Sequence, residues 1–424
     1  MRWRAKGIVS GSVVLVHVMR FQRNASLYLQ SVSMSALARG AFGVIQGLYI
    51  LSLGFSEAVL GTILSARMLS AAAFSVPAGM FSDRVGRRPV LITAGLLTTV
   101  GYLGMAVASS PALMVIFSCI LGCAEACQMT SGAPLLAESS TSEDRGKLFG
   151  VNFSLSMGVN MVGSLLGGFL PQQLRSLGLV KSYRLSLALF SLVTLLGVTP
   201  TLKMQEEKKS KIGAGELTAA ARDEIRELVQ TASNRAVWNL LFYNVLIGFG
   251  AGMVVPYFNV FLTKKLGITS DLVGLILSLT NGATAIAGLI SPILATKYGR
   301  VATVVGTQMA SIPFLLLIAL PPNVYLVSFA LFMRSALMNM SNPVASGFSM
   351  EIVDAEKRGK MSSLMRIADN VTRSASAAVA GYIMANWNYE VPYFFTAVLY
   401  VLASLIYWRA FRSWDRELRG QATP

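Results

Sequence analysis

The chain consists mainly of uncharged apolar stretches that are separated by short charged turns. Twelve such stretches, each roughly 20 residues long, follow one another, and a helix of that length crosses the ~30 Å hydrocarbon core of a bilayer. The pattern therefore predicts an all-α integral membrane protein with twelve transmembrane helices. We place these spans at residues 27–53, 57–79, 90–108, 111–134, 151–171, 186–202, 237–262, 272–294, 302–321, 324–347, 363–386 and 391–408.

Composition and charge agree with this prediction. Only 13% of the residues are charged, whereas a soluble domain carries about 25%. Most lysines and arginines fall in turns on one side of the predicted spans, which predicts that this side, with both termini, is cytoplasmic in a cell (plasma or inner) membrane. The net charge of +16 then reflects orientation. Nucleic-acid binding is not expected, because no basic residues interleave with aromatic ones on a soluble module.

The two halves of the chain resemble each other at a constant offset. The segment LGFSEAVLGTILS at 53–65 aligns without gaps with LGITSDLVGLILS at 266–278. Six spans followed by six in the same orientation indicate parallel repeats, an arrangement of transporters that bind cargo at the midplane between the repeats. The predicted divisions are a cytoplasmic leader (1–26), a six-helix bundle (27–202), a cytoplasmic linker with an amphipathic helix (203–235), a second six-helix bundle (236–408) and a cytoplasmic tail (409–424).

One charged turn, GMFSDRVGRR at 79–88, is similar to the loop between spans 2 and 3 of the major facilitator superfamily. The resemblance extends over essentially the whole chain. It implies that Asp83 meets the N-terminal end of span 11 and so latches the two halves when the cavity faces outward, since a helix N-terminus stabilises a carboxylate. Gly79 would allow close helix approach and Gly86 a tight reversal. The second-half copy has Thr296 in place of Asp83, so the latch is expected on one side only.

The resemblance also implies that an E-x6-R spacing in each half joins this cytoplasmic network. The alternative is that these charges only mark the cytoplasmic side. The candidate gate residues are Gly79, Asp83, Arg84, Gly86, Arg87, Arg88, Glu138 and Arg145 in the first half and Gly299, Arg300, Glu351 and Arg358 in the second.

Seven charged residues lie in the interior of predicted spans, away from the span ends, where charge is costly unless it faces a cavity or a partner. They are Arg39, Arg67, Glu125, Arg334, Arg366, Asp369 and Arg373. The arginines outnumber the acids, and the planar fork of arginine suits a carboxylate or phosphate. We therefore expect an anionic or zwitterionic cargo. Tyr257, Asn339 and Asn342 are further cavity candidates.

Internal pairing is the alternative for these charges. Asp369 can bridge Arg366 and Arg373 on one helix face, and Glu125 can meet Arg39 or Arg334 across the cavity. The three polar candidates can equally make contacts between helices.

Ion coupling would require a group that changes its charge. Glu125 and Asp369 are the two acids inside the spans, so they are the candidates for proton coupling, and a sodium gradient is the other possibility considered. Span 5 carries GVNMVGSLLGG at 158–168, which resembles the antiporter motif of the family except that Ser164 replaces a proline; close helix packing is the alternative role of its glycines.

No catalytic constellation, nucleotide-binding loop or metal site is recognised, so neither an enzyme nor a resident cofactor is expected. The sequence predicts a monomeric secondary active transporter of a small organic molecule, working by alternating access, with the cargo and the lipid bilayer as its partners. The alternatives are a drug/proton antiporter that exports lipophilic compounds, a lipid flippase, and a transporter-like sensor that does not transport.

Overall fold

The computed structural model describes residues 22–141, 143–205, 226–320, 322–354 and 357–422. The predicted leader up to residue 21, and the linker over 206–225, lie outside the described residues. The helices are α1 (Arg23–Ser52), α2 (Glu57–Val85), α3 (Arg87–Val107), α4 (Pro111–Glu138), α5 (Arg145–Gln173), α6 (Leu179–Leu202), α7 (Arg235–Leu266), α8 (Ser270–Tyr298), α9 (Arg300–Ala319), α10 (Val324–Glu351), α11 (Arg358–Asn386) and α12 (Val391–Ala422).

All of these helices except α11 are long and apolar enough to cross a membrane. Helix α11 has 29 residues, which is sufficient length, but Arg366, Asp369 and Arg373 in its middle lower its hydropathy. Helix α7 is interrupted by a 3-10 turn at Val255–Tyr257. The prediction of an all-α membrane protein with twelve spans is confirmed.

Several helices run beyond the predicted spans. Helix α2 continues to Val85 and α4 to Glu138, whereas the apolar stretches end at residues 79 and 134. The last helix continues through residues 409–422, which we predicted to be a separate tail. Apolarity marks only the part of a helix inside hydrocarbon, while backbone hydrogen bonding lets the helix continue into the aqueous layer.

The two six-helix bundles are built in the same way. In the first, α2 packs on α4, α1 on α5 and α6, and α3 on α4 and α6. In the second, α8 packs on α10, α7 on α11 and α12, and α9 on α10 and α12. The bundles meet along two seams, α2 against α11 and α5 against α8. Each seam is the repeat of the other.

Glycines that match in the sequence repeat form both seams. A Cβ atom on Gly61 would lie 3.2 Å from the Cα atom of Gly381 and 2.7 Å from the carbonyl oxygen of Ala377. In the other seam, a Cβ atom on Gly168 would lie 2.7 Å from the Cα atom of Gly274. The helix backbones therefore approach so closely that a larger residue would push the bundles apart.

The two glycines of the charged turn differ in their roles. Gly86 has a φ angle of 108° and Gly299, its repeat, has 95°, so both permit the reversal expected there. The expectation for Gly79 was wrong: a Cβ atom there would lie 3.8 Å from Thr130 Cγ2, which is an ordinary contact. Close approach of α2 and α4 occurs elsewhere, where Gly122 packs on the backbone of α2.

Candidate functional site

We call the end of the bundle that carries the turns at 83–88 and 299–300 the basic end, and the other the opposite end. At the basic end, Arg87 donates to Asp83 over 2.5 Å and to Glu138 over 3.3 Å. In the second half, Arg300 pairs with Glu351, which is the repeat of the Arg87–Glu138 pair. Each pair joins the third helix of a bundle to the end of the fourth.

The glutamates of the two E-x6-R segments therefore have partners other than their own arginines. Arg145 donates to the carbonyl oxygen of Ala137 over 3.5 Å, and Arg358 donates to that of Met350 over 3.1 Å. Carbonyls in the last turn of a helix lack intrahelical donors, so both arginines cap a helix end. The two segments thus make the same contacts in each half, in which the arginines bind backbone carbonyls and the glutamates bind Arg87 and Arg300.

Among the described residues, Asp83 has no hydrogen bond or ion pair to the other half in this conformation. Its partner, Arg87, belongs to the same half, and its own side chain is 68% exposed. The resemblance places the latch to α11 in the state whose cavity faces outward. The contact between Asp83 and α11 that the resemblance implies is therefore not formed among the described residues in this conformation.

At the opposite end, the two halves are joined by polar contacts. The side-chain amide of Asn259 in α7 donates to the carbonyl oxygens of Val44 (2.9 Å) and Gly43 (3.3 Å) in α1. The hydroxyl of Tyr389, in the loop before α12, donates to the carboxylate of Glu57 at the start of α2. Burial raises the pKa of Tyr389. The hydrogen bond to Glu57 and the negative charge of Glu57 raise it further, so the phenol stays protonated and donates.

A cavity of about 330 Å³ lies between the two bundles. Helices α1 and α5 line it from the first half, and α7, α8, α10, α11 and α12 from the second. Its polar side chains are Arg39, Asn160, Ser164, Thr280, Asn281, Thr284, Arg334, Ser335, Asn339, Asn342, Arg373 and Tyr400.

Arg334 is the most deeply buried charge of this cavity, with 2% of its surface exposed. Its Nη2 atom donates to the hydroxyl of Tyr400 over 2.8 Å. The guanidinium carbon lies 5.5 Å from the ring centre of Phe258 and 5.9 Å from that of Tyr400, within cation–π range. The Nε atom is buried and has no partner among the described residues. The aromatic rings fix a guanidinium whose donors are only partly used.

Arg39 faces the cavity from the first half and is exposed to it. Glu125, which we expected to meet Arg39 or Arg334, instead lies nearest Arg67, with 3.8 Å between Nε and Oε1. Glu125, Arg39 and Arg67 together line a side pocket of about 30 Å³. In the part of the chain that the structure describes, neither Arg39 nor Arg334 forms an ion pair with a carboxylate.

Of the three charged side chains in α11, Asp369 and Arg373 form an ion pair, and Arg366 stands outside that pair. Asp369 accepts from the Nε atom of Arg373 with both oxygens, each over 2.8 Å. Arg366 does not share this bridge; its Nη1 atom donates to the Sδ atom of Met129 in α4. The expected bridge across all three residues is therefore replaced by one intrahelical ion pair.

Of the three uncharged polar candidates, Asn339 and Asn342 line the central cavity and Tyr257 does not. The side-chain amide of Asn342 donates a hydrogen bond to Asn339, and that of Asn339 donates to the hydroxyl of Thr284. The side chain of Tyr257 is fully buried, and its hydroxyl donates to the carbonyl oxygen of Ala377 within the second bundle, beside the α2–α11 seam.

Two side-chain amides in the cavity wall, Asn160 and Asn281, also join the two halves. A sequence search for charged residues does not find them. The side chain of Asn281 in α8 donates to Asn160 over 3.1 Å and to Ser164 over 3.2 Å in α5. The signal available in the sequence was an isolated amide within an otherwise apolar span. Ser164, which replaces the motif proline, thus supplies a hydroxyl to a contact between the bundles.

A polar cavity between two repeated six-helix bundles is the architecture of a secondary membrane transporter. The sequence matches the Major Facilitator Superfamily over residues 31–261 and again over residues 240–422. The chain therefore belongs to this family of membrane transporters and is not an enzyme, as the resemblance in the sequence implied.

Individual relatives are similar over short segments. The Gallate transporter of Pseudomonas putida is 34% identical over 28% of this chain and 25% of its own length. Multidrug resistance protein MdtH of Cronobacter sakazakii is 28% identical over 31% of this chain and 33% of its own length. The matches thus span a third or less of these curated relatives. The solved structure of the nucleoside transporter NupG has a TM-score of 0.71 at 14% identity and covers 92% of this chain and 99% of that chain, which shows the shared fold.

Proposed function

We propose that this transporter carries small organic anions or zwitterions by alternating access, as a monomer in a cell membrane. The observation that supports the proposal most directly is the pair Arg39 and Arg334, which reach one cavity from opposite halves without a carboxylate partner in the described chain. An anionic group bound between them would interact favourably with both guanidinium groups and would connect the bundles at the midplane.

Burial of Arg334 favours such a ligand energetically. Removing a cation from water without a matching anion costs several kcal/mol even after the protein relaxes. The π faces of Phe258 and Tyr400 offset only part of that cost, about 0.5–2 kcal/mol per ring. A bound carboxylate would offset more, because hydrogen bonds between charged groups are roughly twice as strong as neutral ones.

The size of the cavity limits the cargo. A volume of about 330 Å³ lies near the lower end of the ~300–1,000 Å³ range of small-molecule sites. Such a site suits a molecule of roughly one ring. One relative is named a gallate transporter, and gallate is an aromatic carboxylate, so this printed name is compatible with the proposal.

The distribution of basic residues supports an orientation with the basic end and both termini in the cytoplasm. The contacts of Asn259 and Tyr389 then close the outer side, and, with no contact between Asp83 and α11 among the described residues, the cytoplasmic side is open. The structure would accordingly correspond to the inward-facing state of the cycle.

Ligand-induced stabilisation tests the cargo class. We would measure the melting temperature of the detergent-purified protein with benzoate, its uncharged match benzamide, phenylalanine as a zwitterion, and the lipophilic cation tetraphenylphosphonium. A specific ligand stabilises the folded state in proportion to RT ln(1 + [L]/Kd). Benzoate or phenylalanine should raise the melting temperature, and benzamide should not.

Two variants assign the effect to the cavity. At anion concentrations that saturate the parent protein, Arg334→Gln should remove the anion-induced shift, while the ligand-free protein keeps or gains stability because an unpaired buried cation has been removed. Arg412→Gln, on the exposed surface of α12, is the matched control and should retain the full shift. A shift in Arg334→Gln with the same half-saturating concentration as in the parent protein would contradict the proposed anion site.

Export of lipophilic compounds is the second candidate, because MdtH is named a multidrug resistance protein. The glycines of α5 do not add to this candidate, since a Cβ on Gly163 or Gly167 would collide with the α1 backbone at Leu37 or Ala41. They are therefore needed for helix packing. Stabilisation by tetraphenylphosphonium alone would favour this second candidate.

For proton coupling we propose Glu125 in preference to Asp369. Both Asp369 oxygens accept from Arg373 Nε over 2.8 Å, so this carboxylate is already occupied by an ion pair. Within the described chain, Glu125 has one ion-pair contact, at 3.8 Å to Arg67, and it lines a side pocket from which a proton could reach it. Glu125→Gln should make uptake insensitive to a pH gradient; unchanged gradient-driven uptake would exclude this residue.

A further inference from the structure

A second cavity of about 300 Å³ lies within the second bundle, between α7, α10, α11 and α12. We call it the vestibule. It shares Ile247 and Asn342 with the central cavity, so the two spaces adjoin. Residues near the basic-end termini of α10 and α11, including Met350 and Ser362, line its other end. The vestibule therefore lies between the central cavity and the basic end.

Arg366 is the one charged side chain in the described lining of the vestibule. Its hydrogen-bond partner is the Met129 thioether of the other half, which is a weak acceptor. Asp369, one turn along α11, is occupied by Arg373 through both oxygens. A guanidinium has five N–H donors, so Arg366 has most of its hydrogen-bonding capacity free of any described carboxylate.

The remaining polar lining matches an oxyanion. Ser346 of α10 and Ser362 of α11 contribute hydroxyl groups, and Asn244 and Asn342 contribute amides, while the hydroxyl of Ser349 donates to the carbonyl oxygen of Ser346. These groups can donate to carboxylate oxygens while the guanidinium fork supplies the charge. Tyr243 and Tyr407 line the same space, which gives the organic part of a ligand an aromatic surface.

We propose that the vestibule is a second binding site for the same class of small organic carboxylate, with Arg366 as its anchor. This inference rests on the proposed function. On binding, Arg366 exchanges the weak Met129 contact for a charge-assisted bond to the ligand. Arg366 and Arg373 are seven residues apart, or ~10 Å along the helix, so a one-ring anion would occupy the vestibule and the central cavity in succession on its path.

The test separates the two sites by measuring benzoate-induced stabilisation in the Arg334→Gln background. We expect a residual shift that needs about tenfold or more benzoate for half-saturation and that Arg366→Gln removes. Absence of a residual shift, or its survival in Arg334→Gln/Arg366→Gln, overturns the vestibule site. Loss of the main shift in Arg334→Gln alone still supports the central site, so failure of one inference is distinguishable from failure of the other.

Substitutions of Met129 supply an independent measurement. Met129→Glu places a carboxylate beside Arg366 and should raise the ligand-free melting temperature while it abolishes the residual benzoate shift. Met129→Gln, nearly equal in size but uncharged, should leave that shift in place. If the glutamate variant binds benzoate as the glutamine variant does, Arg366 is not the anchor.

Discussion

Replacing Gly168 by alanine should destabilise the conformation described here. The substitution adds a Cβ atom at the α5–α8 seam, where it would lie 2.7 Å from the Cα atom of Gly274 and against the carbonyl oxygen of Ser270. Both neighbours are backbone atoms of α8, which cannot rotate away. Gly168 and Ser270 lie near those ends of their helices that are at the opposite end of the molecule. The added methyl group therefore strains the contact where the two bundles are closed.

The size of the effect follows from this geometry. Non-bonded carbon atoms settle ~3.5–4.0 Å apart, so α5 and α8 must separate by about 1 Å at Gly168. Overpacking of this kind costs about 1–3 kcal/mol. If opening of the opposite end relieves the strain, the ratio of open to closed molecules rises about 5- to 150-fold.

Spin labels on both halves would report this ratio. We would attach them at Ser56→Cys before α2 and Tyr325→Cys in α10, two exposed positions at the opposite end. The native cysteines of α4 would be replaced by alanine, and distance distributions recorded by double electron–electron resonance. Gly168→Ala should gain a population at longer distance.

The control for this experiment lies in the same helix. Gly158→Ala adds the same methyl group where no atom lies within 4 Å, so its distances should equal those of the parent protein. Equal distributions for Gly168→Ala and Gly158→Ala would refute the argument that the seam glycines hold the opposite end closed.

Three further predictions concern single contacts. Tyr389→Phe removes the hydrogen bond to Glu57 and should raise the open population about fivefold, for roughly 1 kcal/mol lost; unchanged label distances would contradict this. Because burial and Glu57 raise the pKa of Tyr389 above its usual value near 10, the same contact should be constant from about pH 7 to pH 9 and be lost only as pH rises through the raised pKa. A change in label distances within that range would show otherwise. Tyr400→Phe frees the Arg334 guanidinium from its 2.8 Å partner and should weaken benzoate binding about fivefold; unaltered half-saturation in the melting assay would exclude a positioning role.

Much of the architecture could be predicted from the sequence because the physical causes are local. Span length follows from bilayer thickness, and the match of Gly61 with Gly274 and of Gly168 with Gly381 indicates a repeat before any contact is known. What the repeat does not reveal is that each matched glycine meets a glycine of the other pair across a seam. That contact depends on how the bundles dock.

The candidate site was predicted less completely, for a similar reason. Charged residues inside spans are conspicuous, so Arg39, Arg334 and Arg373 were found, and all three line the cavity. Their partners depend on helix rotation, which periodicity does not determine. Glu125 consequently pairs with Arg67, and Tyr400, the partner of Arg334, comes from α12, whose predicted span contains no charged residue.

Transport of carboxylates into proteoliposomes tests the central claim most directly. We would load vesicles with one of a panel of unlabelled one-ring carboxylates, gallate among them, and measure counterflow of the same acid in radiolabelled form. Vesicles that contain the Arg39→Gln variant, the Arg412→Gln variant or no protein are the comparisons. We predict saturable counterflow of at least one carboxylate, absent for its amide and lost in Arg39→Gln but retained in Arg412→Gln. Counterflow that is equal for acid and amide, or that persists in Arg39→Gln, would contradict an arginine-based anion carrier.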